Sequence, residues 1–166
     1  MDGRLRNGPV FLFFITSCFY NFAQMHTYKY PRPSLTVDIA VLKGKENQYE
    51  ILLIRRKFNP FAGMWALPGG FVDMDETVET AAARELFEET NLSGVELKQF
   101  HVFSEVDRDP RGRTVSVVFT GFVNQNVKIK AKDDAKEVRW FTLDALPELA
   151  FDHEKIIRKI VERGLR

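Results

Sequence analysis

Between Thr77 and Thr90 the chain holds neither proline nor glycine and is rich in alanine, glutamate, leucine and arginine, which predicts a helix. On a wheel of about 100° per residue, Val78, Ala82 and Leu86 form one apolar stripe. Glu85 and Glu89 fall within the same arc, Glu88 lies beside it, and Phe87 and Thr80 stand opposite. Carboxylates drawn toward a packed side repel one another and cost desolvation energy unless a cation neutralises them. Arg84, a turn before Glu88, brings one positive charge. By this reasoning a single arginine leaves the glutamates undercompensated.

A divalent metal would resolve the excess. Mg²⁺ prefers hard oxygen ligands in octahedral geometry and keeps waters, so carboxylates from one helix suit it. Beside a pyrophosphate it would neutralise charge on phosphoryl oxygens and lower the pKa of an attacking water. Gly69 and Gly70, just before the helix, let backbone approach the same place because no Cβ intrudes.

The segment from Gly70 to Leu92 resembles the box of the Nudix family, Gly-x5-Glu-x7-Arg-Glu-(apolar)-x-Glu-Glu-x-Gly-(apolar). The matches are Gly70, Glu76, Arg84, Glu85, Leu86, Glu88, Glu89 and Leu92, preceded by the family-like entry Trp65-Ala66-Leu67-Pro68-Gly69. Asn91 stands where the family has glycine. That position follows the helix end and calls for a left-handed backbone, which asparagine adopts better than other non-glycine residues. The resemblance spans about Pro31 to Phe141 and implies the Nudix α/β/α sandwich with a mixed β-sheet. It implies Glu85, Glu88 and Glu89 as metal ligands, with the Gly70 carbonyl as a further one, and Arg84 and Glu76 as groups that orient them. The metal expected is Mg²⁺, with Mn²⁺ as the alternative. A general base is sought in Asp133-Asp134, before the last strand, with Asp134 the residue chosen and Glu85 or Glu88 as alternatives.

The rest of the text fits such a domain. Leu35, Val37, Ile39 and Val41 alternate as in a strand, and a second apolar run from Tyr49 to Ile54 ends in Arg55-Arg56-Lys57. Further strands are expected at Leu97–Val106, Thr114–Val123 and Glu137–Phe141, with Pro68-Gly69-Gly70 read as a sharp break. Ile156, Ile157, Ile160 and Val161 recur at helical spacing before Gly164, and Asp152 is the expected N-cap.

With 166 residues, one cysteine and a formal net charge of +1, the chain suits one soluble domain in a reducing compartment, without a disulfide framework or a nucleic-acid-binding surface. The expected partner is a small nucleotide substrate; no nucleic acid and no stable membrane span are expected, and a homodimer is left open. Residues 1–24 differ from the rest. Arg4 and Arg6 precede the apolar run from Pro9 to Ile15, too short to span a bilayer, and Ile15-Thr16-Ser17-Cys18 resembles a lipoprotein processing box. The preferred reading is a misplaced start, with Met25 opening a cytoplasmic Nudix domain over 25–166; a signal segment is the alternative.

Four arginines are candidates for substrate phosphates. Arg55 and Arg56 end a strand aimed at the site, and strand alternation lets at most one of them reach it. Arg111 and Arg113 belong to Asp107-Arg108-Asp109-Pro110-Arg111-Gly112-Arg113, whose proline and glycine are turn chemistry but whose arginines suit a diphosphate. Phe61, Trp65 and Phe71 are candidates to stack on a base or to fill the core, and the three histidines are read as ordinary residues. The Asp107–Arg113 loop with Thr114–Phe119, and Leu149-Ala150-Phe151-Asp152-His153, resemble ADP-ribose pyrophosphatases. They also resemble the Nudix domains of bacterial repressors that append a winged helix-turn-helix, for which too few residues follow Gly164. The resemblance therefore implies hydrolysis of ADP-ribose to AMP and ribose 5-phosphate. The alternatives are a house-cleaning enzyme acting on triphosphates such as 8-oxo-dGTP, and a domain that senses ADP-ribose without turnover.

Overall fold

The first strand, β1 (Ser34–Lys43), explains the architecture. Alternation sends Val37, Ile39 and Val41 to one face, yet Ala40 and Leu42 on the other face are just as buried. A strand covered on both sides belongs in the middle of a sheet with layers above and below. A computed structural model, which describes residues 28–45, 48–124, 127–131 and 135–164, places it there.

The remaining strands are β2 (Glu50–Arg56), β3 (Trp65–Ala66), β4 (Gly69–Phe71), β5 (Leu97–Phe103), β6 (Thr114–Val123) and β7 (Ala135–Thr142), and the helices are α1 (Val78–Thr90) and α2 (His153–Glu162). The sheet runs β3-β2-β1-β6-β5, with β4 added to β1 and β7 to β2. β1 and β6 are parallel along their whole length, from Ser34↔Thr114 to Lys43↔Val123, while the other pairs are antiparallel. On one face Val37, Ile39, Val41, Val117 and Phe119 pack with Ala81, Ala82 and Leu86 of α1. On the other, Leu42, Ile51, Leu53 and Val118 pack with Ile156, Ile157 and Ile160 of α2. This is the α/β/α sandwich with a mixed sheet that the resemblance implied. Each large aliphatic side chain buried in these layers contributes roughly 1.5–3 kcal/mol. Among the described residues, no helix is long and apolar enough to cross a membrane.

Two local expectations are corrected, and a third holds in position but not in its bonding. The break at Pro68-Gly69-Gly70 is a short strand: β4 lies so close to β1 that a Cβ on Gly69 would sit 2.2 Å from the Val37 carbonyl oxygen. β5 stops at Phe103, because residues 104–106 already lead into the loop that carries the arginines. Asp152 occupies the N-cap position of α2 but makes no side-chain capping bond; its carboxylate is taken by Arg108. At α1 the ends follow the sequence logic. Thr77 accepts the Thr80 N–H as N-cap, and Asn91 closes the helix at φ 58, ψ 21, its N–H donating to the Phe87 carbonyl at 2.8 Å.

Candidate functional site

Around one end of the sheet lies a cavity of about 450 Å³. Its lining joins the two faces. Gly70, Glu85, Glu88 and Glu89 come from the α1 side, and Asp38, Arg108 and His153 from the α2 side, with Arg56, Arg111, Phe58 and Phe71 among the remaining wall residues.

Arg84 organises the α1 side. It grips Glu76 with two bonds, Nη2 to Oε1 at 2.6 Å and Nε to Oε2 at 3.1 Å, and its Nη1 donates to Glu85 at 2.8 Å and Glu88 at 3.0 Å. Nη2 also donates to the Phe71 carbonyl, tying the helix to β4. The hydrogen bonds from Arg84 hold the Glu76 carboxyl below its usual range, and these acids in turn raise the guanidinium's pKa. Burial pushes Glu85 up, against the pull of Arg84. Glu89, the most buried of the box acids, accepts the Gly69 N–H at 2.9 Å.

This differs from the sequence argument in one respect. Arg84 serves Glu85 and Glu88 together with Glu76 but leaves Glu89 to the backbone, and among the described residues no three acidic, histidine or cysteine side chains converge on one point. Arg84 draws Glu85 and Glu88 to itself while Glu89 turns to the β4 backbone, so a cation held by all three must compete with those bonds. The surroundings nonetheless suit a hard cation. A Cβ on Gly70 would lie 2.3 Å from Glu85 Oε1, so backbone and carboxylate meet at a distance that only glycine allows. The available donors are all hard oxygens, as Mg²⁺ requires. Gly70→Ala is therefore expected to leave the fold intact and to lower turnover by about tenfold or more, by displacing Glu85. Circular dichroism and steady-state rates on the same preparation check this; unchanged turnover would mean that Glu85 can shift at no cost.

The candidate arginines separate. Arg56 and Arg111 line the cavity. Arg55 is turned away, its Nε on the Gly63 carbonyl at 2.9 Å, and Arg113 is spent on the Glu105 and Thr114 carbonyls. The structure thus places Arg55 and Arg113 outside the cavity wall, and Arg55 and Arg56 part at a shift in the β2–β7 register between them. Arg111 is held by its neighbour Asp109, which accepts both the Arg111 backbone N–H and the guanidinium. Its Cζ lies 4.9 Å from the Phe71 ring centroid and 5.4 Å from that of Phe151. Arg56 stacks on Phe151 at 4.9 Å. Of the candidate stacking residues, Phe71 is in the wall and 45% exposed, whereas Phe61 packs on Phe151 and Trp65 on Phe141. Asp134, the general-base candidate, lies with Asp133 outside the described residues.

Sequence reasoning missed the α2 side. Arg108, with its side chain 5% exposed, donates to both oxygens of Asp152 at 3.0 and 2.7 Å and to Asp38 at 3.3 Å. Asp38 also accepts from Ser116 and faces His153 Nε2 at 3.3 Å, and the Leu67 N–H donates to His153 Nδ1 at 2.9 Å. Burial alone would raise the Asp38 carboxyl, but His153, Arg108 and Ser116 together hold it at about 2. The signal was present: an aspartate in a strand buried on both faces needs a partner. The network also joins the two segments, Asp107–Arg113 and Leu149–His153, that stood out in the sequence.

A family model described as the NUDIX domain matches residues 32–163. The chain belongs to the Nudix family, and with every charged position of the box matched it is by class a Nudix pyrophosphohydrolase. It is 50% identical over 129 residues to an ADP-ribose pyrophosphatase of Methanocaldococcus jannaschii, an alignment covering 78% of this chain and 73% of that protein. It is 36% identical over 145 residues to an ADPR responsive transcriptional repressor NtrR of Acinetobacter baylyi, covering 85% of this chain and 58% of the repressor. Among solved structures, the NUDIX domain of Shewanella oneidensis NrtR, crystallised with ADP ribose, superposes with a TM-score of 0.76 at 31% identity, covering 86% of this chain and 96% of that one.

Proposed function

We propose that this chain hydrolyses ADP-ribose to AMP and ribose 5-phosphate by water attack on one phosphorus, with Mg²⁺ held by Glu85, Glu88, Glu89 and the Gly70 carbonyl. The observation that carries the reading is the shared cavity: the box carboxylates face the same space as Arg56 and Arg111. When bound, Mg²⁺ would neutralise charge on the diphosphate and polarise the attacking water. The chain's own residues do the rest. Arg84 and Glu76 orient the helix carboxylates, Arg111 is steered over the cavity by Asp109 and the flanking phenylalanines, and Phe71 offers an exposed aromatic face for stacking. The 50% identity to a protein named ADP-ribose pyrophosphatase supports the substrate.

A hydrolysis panel with Mg²⁺ tests this. ADP-ribose is expected to show a higher kcat/KM than 8-oxo-dGTP or unmodified triphosphates, and Arg111→Ala should raise KM for ADP-ribose by about tenfold with a smaller change in kcat. Arg113→Ala, outside the cavity, should stay near wild type. A tenfold or greater preference for a purine triphosphate would overturn the substrate while leaving the class intact. The likeness to ADPR-linked repressors supports a second reading, sensing without turnover; tight binding of ADP-ribose with no Mg²⁺-dependent product would establish it.

A further inference from the structure

The hydrolytic reading leaves one buried group unused. Arg108 lines the cavity, its Nε and Nη2 committed to Asp152 and Asp38. Its Nη1 has no hydrogen-bond partner among the described residues, yet it is not sealed from solvent, since no such atom is both buried and unsatisfied. A guanidinium that lines the cavity, with a side chain only 5% exposed and fixed by two carboxylates, thus keeps N–H groups that remain open to solvent.

The charge of the network decides what those N–H groups suit. Asp38 is ionised at neutral pH, and Asp152 accepts two bonds from the guanidinium. His153 Nδ1 accepts the Leu67 N–H while Nε2 faces Asp38 at 3.3 Å. Two carboxylates thus share one guanidinium, which leaves it little charge to spend on a further anion. A guanidinium already shared by two carboxylates has little attraction left for a phosphate, but its fixed N–H donates well to an uncharged oxygen.

Strand geometry sets the donor apart from the catalytic helix. Asp38 pairs in register with Gly69, whose N–H binds Glu89, but the Asp38 side chain projects to the face opposite Val37 and Ile39, which pack on α1. The cavity therefore has the box carboxylates on its α1 side and the Arg108 donor on its α2 side, with Arg56 and Arg111 meeting on Phe151 beside the latter. We propose that Arg108 Nη1 binds a sugar hydroxyl of the substrate and that this subsite selects a sugar-bearing diphosphate over a plain polyphosphate. The inference rests on the ADP-ribose reading above and adds the residue that recognises the sugar.

Binding in EDTA, where turnover is absent, tests it by calorimetry with ADP-ribose and analogues that each lack one ribose hydroxyl. One analogue should bind the wild-type protein roughly tenfold more weakly, the loss expected for a hydroxyl facing a charged donor. In Arg108→Lys, which keeps the charge between the carboxylates but cannot present the same fork, that difference should fall below about twofold. Competition by inorganic pyrophosphate should change by less than about twofold in the same variant, because the subsite takes no phosphate. Equal binding of every analogue overturns the proposal, as does a difference that persists in Arg108→Lys or a collapse of pyrophosphate affinity. If Arg108→Lys does not fold, guanidinium ¹⁵N resonances of the wild-type protein decide. The Arg108 signals should shift with ADP-ribose but not with the weak analogue, and equal shifts overturn the proposal. Mg²⁺-dependent hydrolysis of ADP-ribose by the same wild-type preparation tests the parent reading separately. Turnover with indifference to every hydroxyl sinks the subsite alone, and no binding of ADP-ribose sinks both.

Discussion

Glu89→Gln should fold as the wild type does and lose about two or more orders of magnitude in turnover. The substitution is nearly isosteric, and the amide oxygen can still accept the Gly69 N–H that Glu89 takes at 2.9 Å. What disappears is one negative charge from the α1 wall of the cavity, at the most buried of the box acids. That charge is costly to bury, so its loss should leave thermal stability without metal unchanged or higher. Glu88 is a useful contrast, since its side chain is 43% exposed and partly neutralised by Arg84; Glu88→Gln should cost less than Glu89→Gln. The decisive pair of measurements is kcat with saturating Mg²⁺ and the melting temperature in EDTA. Near-normal Mg²⁺-dependent activity in Glu89→Gln would remove Glu89 from the site. A large fall in melting temperature would recast it as a structural brace between α1 and β4.

Much of this was legible in the sequence because local rules and tertiary packing agree. α1 follows from propensity and spacing, its N-terminus from Thr77, its C-terminus from an asparagine that tolerates a left-handed backbone. The box gave the identity of the helix acids, but not their partners. That Arg84 would spread over Glu76, Glu85 and Glu88 while Glu89 reached Gly69 depends on where β4 lies, and β4 read as a break because its glycines were taken as turn residues rather than as room for close strand approach. Alternation foretold that Arg55 and Arg56 would diverge but not which would enter the cavity, since that depends on the layer each face meets. The α2 side was hidden for a different reason. Asp38, Arg108 and Asp152 lie far apart in the chain, and each had an acceptable local explanation: a strand residue, a turn residue and a helix cap. Only the fold shows that Arg108 holds both carboxylates.

Replacing Arg108 with methionine should cost about 3–5 kcal/mol at neutral pH, the range for breaking a buried ion pair by removing one partner. The side chain is 5% exposed, and those of Asp38 and Asp152 are 10% and 8% exposed, so water reaches both carboxylates only narrowly. For a domain of this size the loss corresponds to roughly 10 °C in Tm. Because the penalty is electrostatic, it should depend on pH, and the sign follows from Asp38. In the wild-type protein its folded pKa is lowered from 3.8 to about 2, so its contribution to stability is full above the unfolded value and disappears as pH falls through about 2. Without Arg108 that depression weakens, and a carboxyl left buried without its cation is expected to have a raised folded pKa, which destabilises the protein at neutral pH and less so once it is protonated. The gap between variant and wild type should therefore begin to narrow as pH falls through the variant's raised pKa, above 3.8, and narrow further toward about 2, whereas a loss caused by missing packing alone would be the same at each pH. Urea unfolding followed by circular dichroism, near neutral pH and again at about pH 3.5, separates the two. A deficit below about 1 kcal/mol at neutral pH would mean that Asp38 and Asp152 find other partners, and an equal deficit at both pH values would assign Arg108 to packing rather than to the charge network.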